Sequence, residues 1–571
     1  VIILSLHTGR HDGTAALFDG YRLRAAVQLE RLTRLKGDGG GIPRPAMDEV
    51  LDIAGLTPGQ VDAVVLSRAS FPARLCRLPA HKRLADRLGR ALKGEDKLRD
   101  LVSLQRRFGQ PDAARLIDGA RLKAELGLRA EVPLFFSNHH LAHALSAFFY
   151  TDWDDALLYT ADGCGDNVHY SARVVRDGRL DTLFGDDAEL LAPRRVDSLG
   201  LAYGYMTQAL GFRMNRHEGK LTGLAAFGQP TLLDELAAHF RVEDTGRVAS
   251  DFASDAAMRA EIARLAASTA REDAAASIQQ LLEDTVLASV RRLLELHPVR
   301  HLALAGGVFA NVRLNRLLTE ATGVRESFIF PGMGDEGITV GGALQFLLER
   351  DGLKTWLDHR HRLSDVYLGR DFDGEIDRVL AATPGVTRRP GPPADSAAEL
   401  LAKGDIVAIY SGRMEFGPRA LGARSILANP ADRAVNDSLN ARLTRTEFMP
   451  FAPVVAAEDA AEVFEITPAN AYACRFMTIT CGVKPQWHDR IPAVVHVDGT
   501  ARPQIIDRDT NPLYFDILAA FKKHTGLPVL VNTSFNAHEE PIINTPQECR
   551  DALITNRVDH ITTNTATYSR S

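Results

Sequence analysis

His139 and His143 stand four residues apart in the stretch 138–150, NHHLAHALSAFFY, among good helix formers. At 3.6 residues per turn this spacing puts both imidazoles on one helix face, one turn apart, and turns His140 elsewhere. Two neutral imidazoles so placed can share one divalent cation. A lone His-x-x-x-His is more often a packed helix face, so the pair needs ligands from other parts of the chain. Two aspartates sit at strand ends where such ligands are usual. Asp162 follows the apolar run ALLYTA and opens DGCGD, and Asp335 lies in PGMGDEG behind FIF. Two imidazoles with one or two carboxylates suit Fe²⁺, Mn²⁺ or Zn²⁺ better than Mg²⁺, which avoids histidine-rich sites.

Glycine-flanked turns at 11–16, 162–166 and 305–311 each follow an apolar strand. Glycine there lets backbone N–H groups approach phosphate oxygens. A single such turn is usually only a turn; three in order nominate a nucleotide site with Gly163, Gly165, Gly306, Gly307 and Asn311. Gly200 and Lys220, in the glycine-punctuated stretches DSLGLAYGYMTQALGF and RHEGKLTGLAAFG, join it. Two phosphate loops followed by AGG-x-x-x-N opening a helix is the layout of the actin-like, sugar-kinase and heat-shock ATPase superfamily. In the first turn, His11 is a candidate base for an attacking hydroxyl, with Asp12 second; a histidine near its ordinary pKa suits that task. The plainer reading of His11 is a phosphate hydrogen bond or a turn cap.

The second half carries an anion-binding set. GRMEFGPRALGARSILANP holds Arg413, Glu415, Arg419 and Arg424, TRTEFMPFAP holds Arg445, TARPQ holds Arg502, and VNTSFN holds Asn532, Ser534 and Asn536. Guanidinium forks match phosphate and carboxylate oxygens, and asparagine binds a carboxamide through both donor and acceptor. Any one of these arginines taken singly reads better as a structural ion pair.

These groups need an α/β scaffold. VIILSLH and GTAAL read as buried strands, with a hairpin turn at Asp19 and Gly20, and PAMDEVLDIAGL as a helix. Residues 72–130 form a basic, helical block including HKRLADRLGRALKG: a solvated insertion, or a lid, acceptor contact or dimer contact. Residues 254–297 read as one long helical stretch. Pro and Gly cluster at 383–395, which reads as a linker, and an αβ pattern restarts at 396. The 571 residues thus divide into units at 1–355 and 356–571. The net charge of -6 argues against a nucleic-acid partner. Five scattered cysteines without C-x-x-C favour a reducing cytoplasm, and neither a membrane span nor a signal peptide is legible.

HDGTAAL, SNHHLAHALSAFF, GKLTGLAAFG, AGGVFAN, GDEG, MEFGPRALGARSILANP and VNTSFNAHEEPI together resemble the NodU/CmcH O-carbamoyltransferases, in order and over nearly the whole chain. The resemblance implies an actin-like N-terminal domain and a YrdC-like α/β C-terminal domain. The latter would form carbamoyl adenylate from carbamoyl phosphate and ATP with Mg²⁺. The former would pass the carbamoyl group to a hydroxyl of a small molecule, such as an antibiotic, another secondary metabolite or a sugar. It implies a divalent iron-type cation on His139, His143, Asp162 and Asp335. It further implies roles for His11 and Lys36 at the transfer site, and for Arg419, Arg445, Arg502 and Ser534 on carbamoyl phosphate; Arg424 and Asn532 are candidates beside them. Several members read V-K-x-R-E-x-x-R-P-F where this chain reads LTRTEFMPF, with Thr444 near the usual lysine and Met449 at the usual arginine. The His-x-x-x-His helix is also similar to the subunit that attaches threonylcarbamoyl to tRNA adenosine. A transferase of that kind, a sugar-kinase-like enzyme and a non-enzymatic nucleotide-dependent module are the alternatives. A homodimer is a further expectation.

Overall fold

The computed structural model describes residues 1–78, 96–444 and 450–570. Apolar runs at the start of the chain form a five-stranded sheet from β1 (Ile2–His7), β2 (Thr14–Asp19), β3 (Arg22–Gln28), β4 (Ala63–Ser67) and β5 (Leu134–Ser137), in the order β3-β2-β1-β4-β5. The hairpin turns one residue later than the Asp-Gly pair predicts: Asp19 ends β2 paired with Arg22, and the two turn residues are Gly20, at φ 56°, and Tyr21. A second five-stranded sheet comprises β6 (Ala156–Gly165), β7 (Val168–Arg176), β8 (Arg179–Phe184), β9 (His301–Ala305) and β10 (Glu326–Ile329), in the order β8-β7-β6-β9-β10. In both sheets the first three strands are antiparallel and the last three parallel. This duplication, invisible as a sequence repeat, is the actin-like architecture. The parallel strands β4 (AVVLS) and β9 (HLALA) are wholly buried, which is why they read as unbroken apolar runs.

Between and behind these sheets lie helices α1 (His139–Phe149), α2 (Val312–Ala321) and α3 (Ile338–Asp351). The chain then builds an eight-stranded mixed sheet. Its strands are β11 (Val386–Arg388), β12 (Val407–Tyr410), β13 (Arg424–Ala428), β14 (Ala452–Ala456), β15 (Gln504–Ile506), β16 (Val529–Ser534), β17 (His560–Thr562) and β18 (Thr567–Arg570), ordered β11-β18-β17-β12-β13-β16-β14-β15.

Four other expectations change. The stretch 383–395 is no linker: its centre is β11, an edge strand paired to β18, and a helix Pro393–Ala402 starts on one of its prolines. Strand β6 runs on through Gly165, so the turn falls at Asp166 and Asn167, whose φ values of 53° and 67° make it a tight hairpin. The long helix at 254–297 is two, Asp255–Ala266 and Arg271–Leu296. In the basic block, strand Leu98–Asp100 pairs with Ser70–Pro72 and two short helices follow; HKRLADRLGRALKG lies outside the described residues.

The N- and C-terminal halves are strapped together by buried polar groups. Arg31, 2% exposed, donates to Glu30 Oε1 (2.6 Å), Gln28 Oε1 (3.1 Å) and the carbonyl of Gly417 (2.7 Å). Gln28 Oε1 also accepts from Gly417 N–H, and Glu30 Oε2 accepts from Gly37 N–H at 2.6 Å. Arg34 reaches the carbonyls of Pro541 and Ile542. One cluster thereby positions the residue after Lys36 and the loop that leads into Arg419.

Candidate functional site

Helix α1 begins where Asn138 caps it, its side chain accepting from Leu141 N–H at 2.7 Å. Asp166 accepts from His139 N–H (2.8 Å) and is held in turn by the buried Arg68 (3.2 Å). Helix α3 packs directly on α1. A Cβ on Gly341 would lie 1.7 Å from the carbonyl of Ala142, so only glycine allows the approach. That contact brings the short turn before α3, which carries Asp335, against the histidine face. Asp162 arrives near the end of β6, and Gly165 leaves room for the His139 ring.

One ligand atom from each of His139, His143, Asp162 and Asp335 lies within 4.8 Å of the others. Asp162 Oδ2 is 3.5 Å from His139 Nε2 and 3.2 Å from His143 Nε2; Asp335 Oδ1 is 3.7 and 3.8 Å from the same atoms. Ligands bound about 2.1 Å from a tetrahedral cation stand about 3.4 Å apart. The ring nitrogens of His143, 0% exposed, have no hydrogen-bond partner, as a ligand awaiting a cation would not. The donor set fits a divalent transition metal. Burial acts against charge on His143, yet Asp162 and Asp335 outweigh it and raise the ring to about 9. Burial alone would raise both carboxyls, but the imidazoles hold them below the usual carboxylate range. His140 is turned away, spent on Thr160 (2.7 Å) and the carbonyl of Val168 (3.0 Å).

His11 corrects an expectation. Its Nδ1 lies 2.9 Å from Asp12 Oδ2, and that hydrogen bond raises it to about 9 against the effect of burial. This departs from the ordinary histidine pKa on which the reading of His11 as a base was founded, and it makes His11 and Asp12 a hydrogen-bonded pair. His7 was missed. It ends β1, is 1% exposed, and lies 3.7 Å from Asp335 Oδ2. Its signal was available: a histidine closing a largely apolar strand, four residues before His11.

A cavity of about 300 Å³ collects most of the remaining candidates. Lys36, Lys220 and Asn311 line it from the N-terminal half, and Arg419, Arg502, Asn532 and Ser534 from the C-terminal half. Asn532, 1% exposed, donates to the carbonyl of Ala420 and to Gln504 Oε1, while its own Oδ1 has no hydrogen-bond partner. Asn311 caps α2 and bonds Gln279. Glu415 shapes the arginine loop: its Oε1 accepts backbone N–H groups from Leu421, Ala423 and Arg424. Arg424 is not part of the cavity wall. Its guanidinium, fully buried, is spent on the carbonyls of Ser411, Gly412 and Ala423 and stacks 3.7 Å over Tyr410. The remaining glycines lie at the end of β6 rather than on the cavity: Gly163 and Gly307 donate N–H to the Asp162 carboxylate, Gly200 packs near the Asp162 carbonyl, and Gly306 lies against Ala161. Arg445 and Met449 lie outside the described residues.

An actin-like pair of sheets thus carries a histidine-aspartate cluster suited to a cation at its strand ends, beside a cavity lined by lysines and arginines. The chain matches the family models described as Carbamoyltransferase N-terminus, over residues 2–344, and Carbamoyltransferase C-terminus, over residues 398–570. It is 34% identical over 568 residues to nodulation protein NolNO of Sinorhizobium fredii, covering 97% of this chain and 78% of that protein. Nodulation protein NolO of Bradyrhizobium diazoefficiens is 36% identical over 433 residues, 74% of this chain and 77% of that one. The solved structure of T. kodakarensis HypF covers 62% of this chain and 48% of its own, at 14% identity and a TM-score of 0.31, too low a likeness to carry an argument. The chain belongs to the carbamoyltransferase family and is a carbamoyltransferase enzyme. A non-enzymatic module is thereby set aside. Among the described residues, no helix is long and apolar enough to cross a membrane.

Proposed function

We propose that the enzyme is an ATP-dependent O-carbamoyltransferase working in two steps. Residues 356–571, read as a YrdC-like unit, form carbamoyl adenylate: one water splits carbamoyl phosphate into carbamate and phosphate, and the carbamate oxygen attacks the α-phosphorus of ATP and expels pyrophosphate. Residues 1–355 then transfer the carbamoyl group to a hydroxyl of a small molecule or sugar, and AMP leaves. The observation that carries this reading is the single cavity walled by Lys36, Lys220 and Asn311 on one side and Arg419, Arg502 and Ser534 on the other.

Arg419 and Arg502 bind the phosphate of carbamoyl phosphate as guanidinium forks, and Ser534 supplies a hydroxyl. The unpartnered Oδ1 of Asn532 accepts from the carbamoyl NH₂, whose deletion would leave a buried acceptor unpaired. Lys36 and Lys220 offset the charge on the nucleotide's phosphates. His139, His143, Asp162 and Asp335 would hold a divalent cation, Fe²⁺ by preference over Mn²⁺ or Zn²⁺. When bound it would supply Lewis-acid charge at the leaving phosphate. At the acceptor, His11 already carries its proton, so Asp12 takes the hydroxyl's proton while His11 steadies the carboxylate.

The test is incubation with ATP, carbamoyl phosphate and a panel of hydroxylated metabolites. Mass spectrometry reads replacement of O–H by O–CONH₂. Absence of both carbamoylated product and carbamoyl-phosphate-dependent pyrophosphate release sinks the reading.

A further inference from the structure

We propose that His7 positions the metal-binding carboxylate of Asp335. It holds one carboxylate oxygen so that the other is aimed at the cation; this rests on the metal reading of the cluster above.

Asp335 faces two ways. Its Oδ1 looks toward the pair on α1, 3.7 Å from His139 Nε2 and 3.8 Å from His143 Nε2. Its Oδ2 looks back toward the end of β1, 3.7 Å from His7 Nε2 and 4.0 Å from His11 Nδ1. Of the last two rings, His11 is half exposed and already bonded to Asp12 at 2.9 Å. His7 is 1% exposed, and neither of its ring nitrogens has a hydrogen-bond partner.

That state is unusual for a histidine whose role is packing. His140, equally buried, shows the ordinary solution, with both nitrogens satisfied by Thr160 and Val168. A buried polar group left unpaired costs about 1–3 kcal/mol, so a fold that keeps one needs a partner close by. A neutral imidazole carries one N–H, and the polar atom closest to His7 Nε2 among its charged neighbours is Asp335 Oδ2. Closing 3.7 Å to a hydrogen bond of about 2.9 Å takes a shift of under about 1 Å. The local chain protects the ring's place: a Cβ on Gly9 would fall 2.3 Å from His7 Nε2. Carboxylates that ligate metals are held by such outer hydrogen bonds, and losing one costs about 10–100-fold in affinity.

The experiment strips the full-length chain of metal and titrates Mn²⁺ or Co²⁺ against a competing chelator. Wild type is compared with His7→Ala, His7→Leu and His7→Gln, with folding checked by circular dichroism of the metal-free proteins. The expected result is affinity about 10–100-fold weaker for the alanine and leucine variants, with glutamine, which keeps a donor, recovering most of the loss. Leucine fills the ring's space, so it decides the matter if the alanine variant does not fold. Wild-type affinity in His7→Leu overturns the inference, as does a glutamine variant no better than leucine. A wild-type chain that takes up no cation overturns the metal reading itself, a result distinguishable from either.

Discussion

The metal cluster and the arginine-lined cavity are built on opposite plans. All four residues of the cluster come from 139–335, on elements of regular structure: one helix face, one strand and one turn at a helix start. The cavity draws its walls from Lys36 to Glu539, across both halves of the molecule. A cation needs a few atoms placed within tenths of an ångström, and rigid elements supply that. A cavity of the kind proposed above for two anionic substrates needs facing walls, and those are placed by how the halves pack. The strap of Gln28, Glu30 and Arg31 on Gly417 holds the walls in register. The cluster should therefore survive damage to the strap, and the cavity should not.

The largest effect should separate the two regions outright. His143→Ala is expected to abolish metal uptake and to lower hydroxyl carbamoylation on the order of 10³-fold, the scale of a lost Lewis acid. Carbamoyl-phosphate-dependent pyrophosphate release should persist, and metal analysis beside a pyrophosphate assay reads both. Arg502→Ala should do the reverse, with pyrophosphate release falling about 10²–10³-fold, as for a charge partner removed from a binding site, and metal content unchanged. If His143→Ala also loses pyrophosphate release, or Arg502→Ala also loses its metal, the two regions act as one and the contrast fails.

Smaller effects sharpen it. Arg31→Ala leaves Glu30 buried without its partner, so it should cost about 3–5 kcal/mol of stability by denaturant unfolding. At temperatures where the variant is folded, the KM for carbamoyl phosphate should rise roughly tenfold, about 1.4 kcal/mol of lost positioning, while cation affinity holds. The smallest concerns His496 in the cavity wall, which burial lowers from 6.5 to about 4. Its neutral form is favoured in the folded state, so this contribution to stability is complete above pH 6.5 and is lost as pH falls toward 4. The loss is up to about 3 kcal/mol. Melting temperature against pH should drop across that window, and His496→Gln should flatten the drop.

Local rules made much of this legible in the chain. The i, i+4 histidines share a face because helical geometry leaves no choice, and the glycine of Asp19-Gly20 took the first position of the hairpin turn. Strand-end glycines and aspartates marked where ligands gather, because strands deliver residues to their ends whatever the fold. Composition and motif order were enough for the carbamoyltransferase family.

Other features depended on partners distant in the chain. Arg424 sits in the same motif as Arg419, yet folding buries one under Tyr410 and leaves the other in a cavity wall. The Pro/Gly stretch at 383–395 became an edge strand because β18, nearly two hundred residues on, was there to pair with it. His11 lost its ordinary pKa to an Asp12 hydrogen bond, and His7 mattered only once Asp335 was brought beside it. Motifs and spacing settle which residues are able to do the chemistry. Burial and distance, which arise only when remote segments pack, settle which of them face the same point.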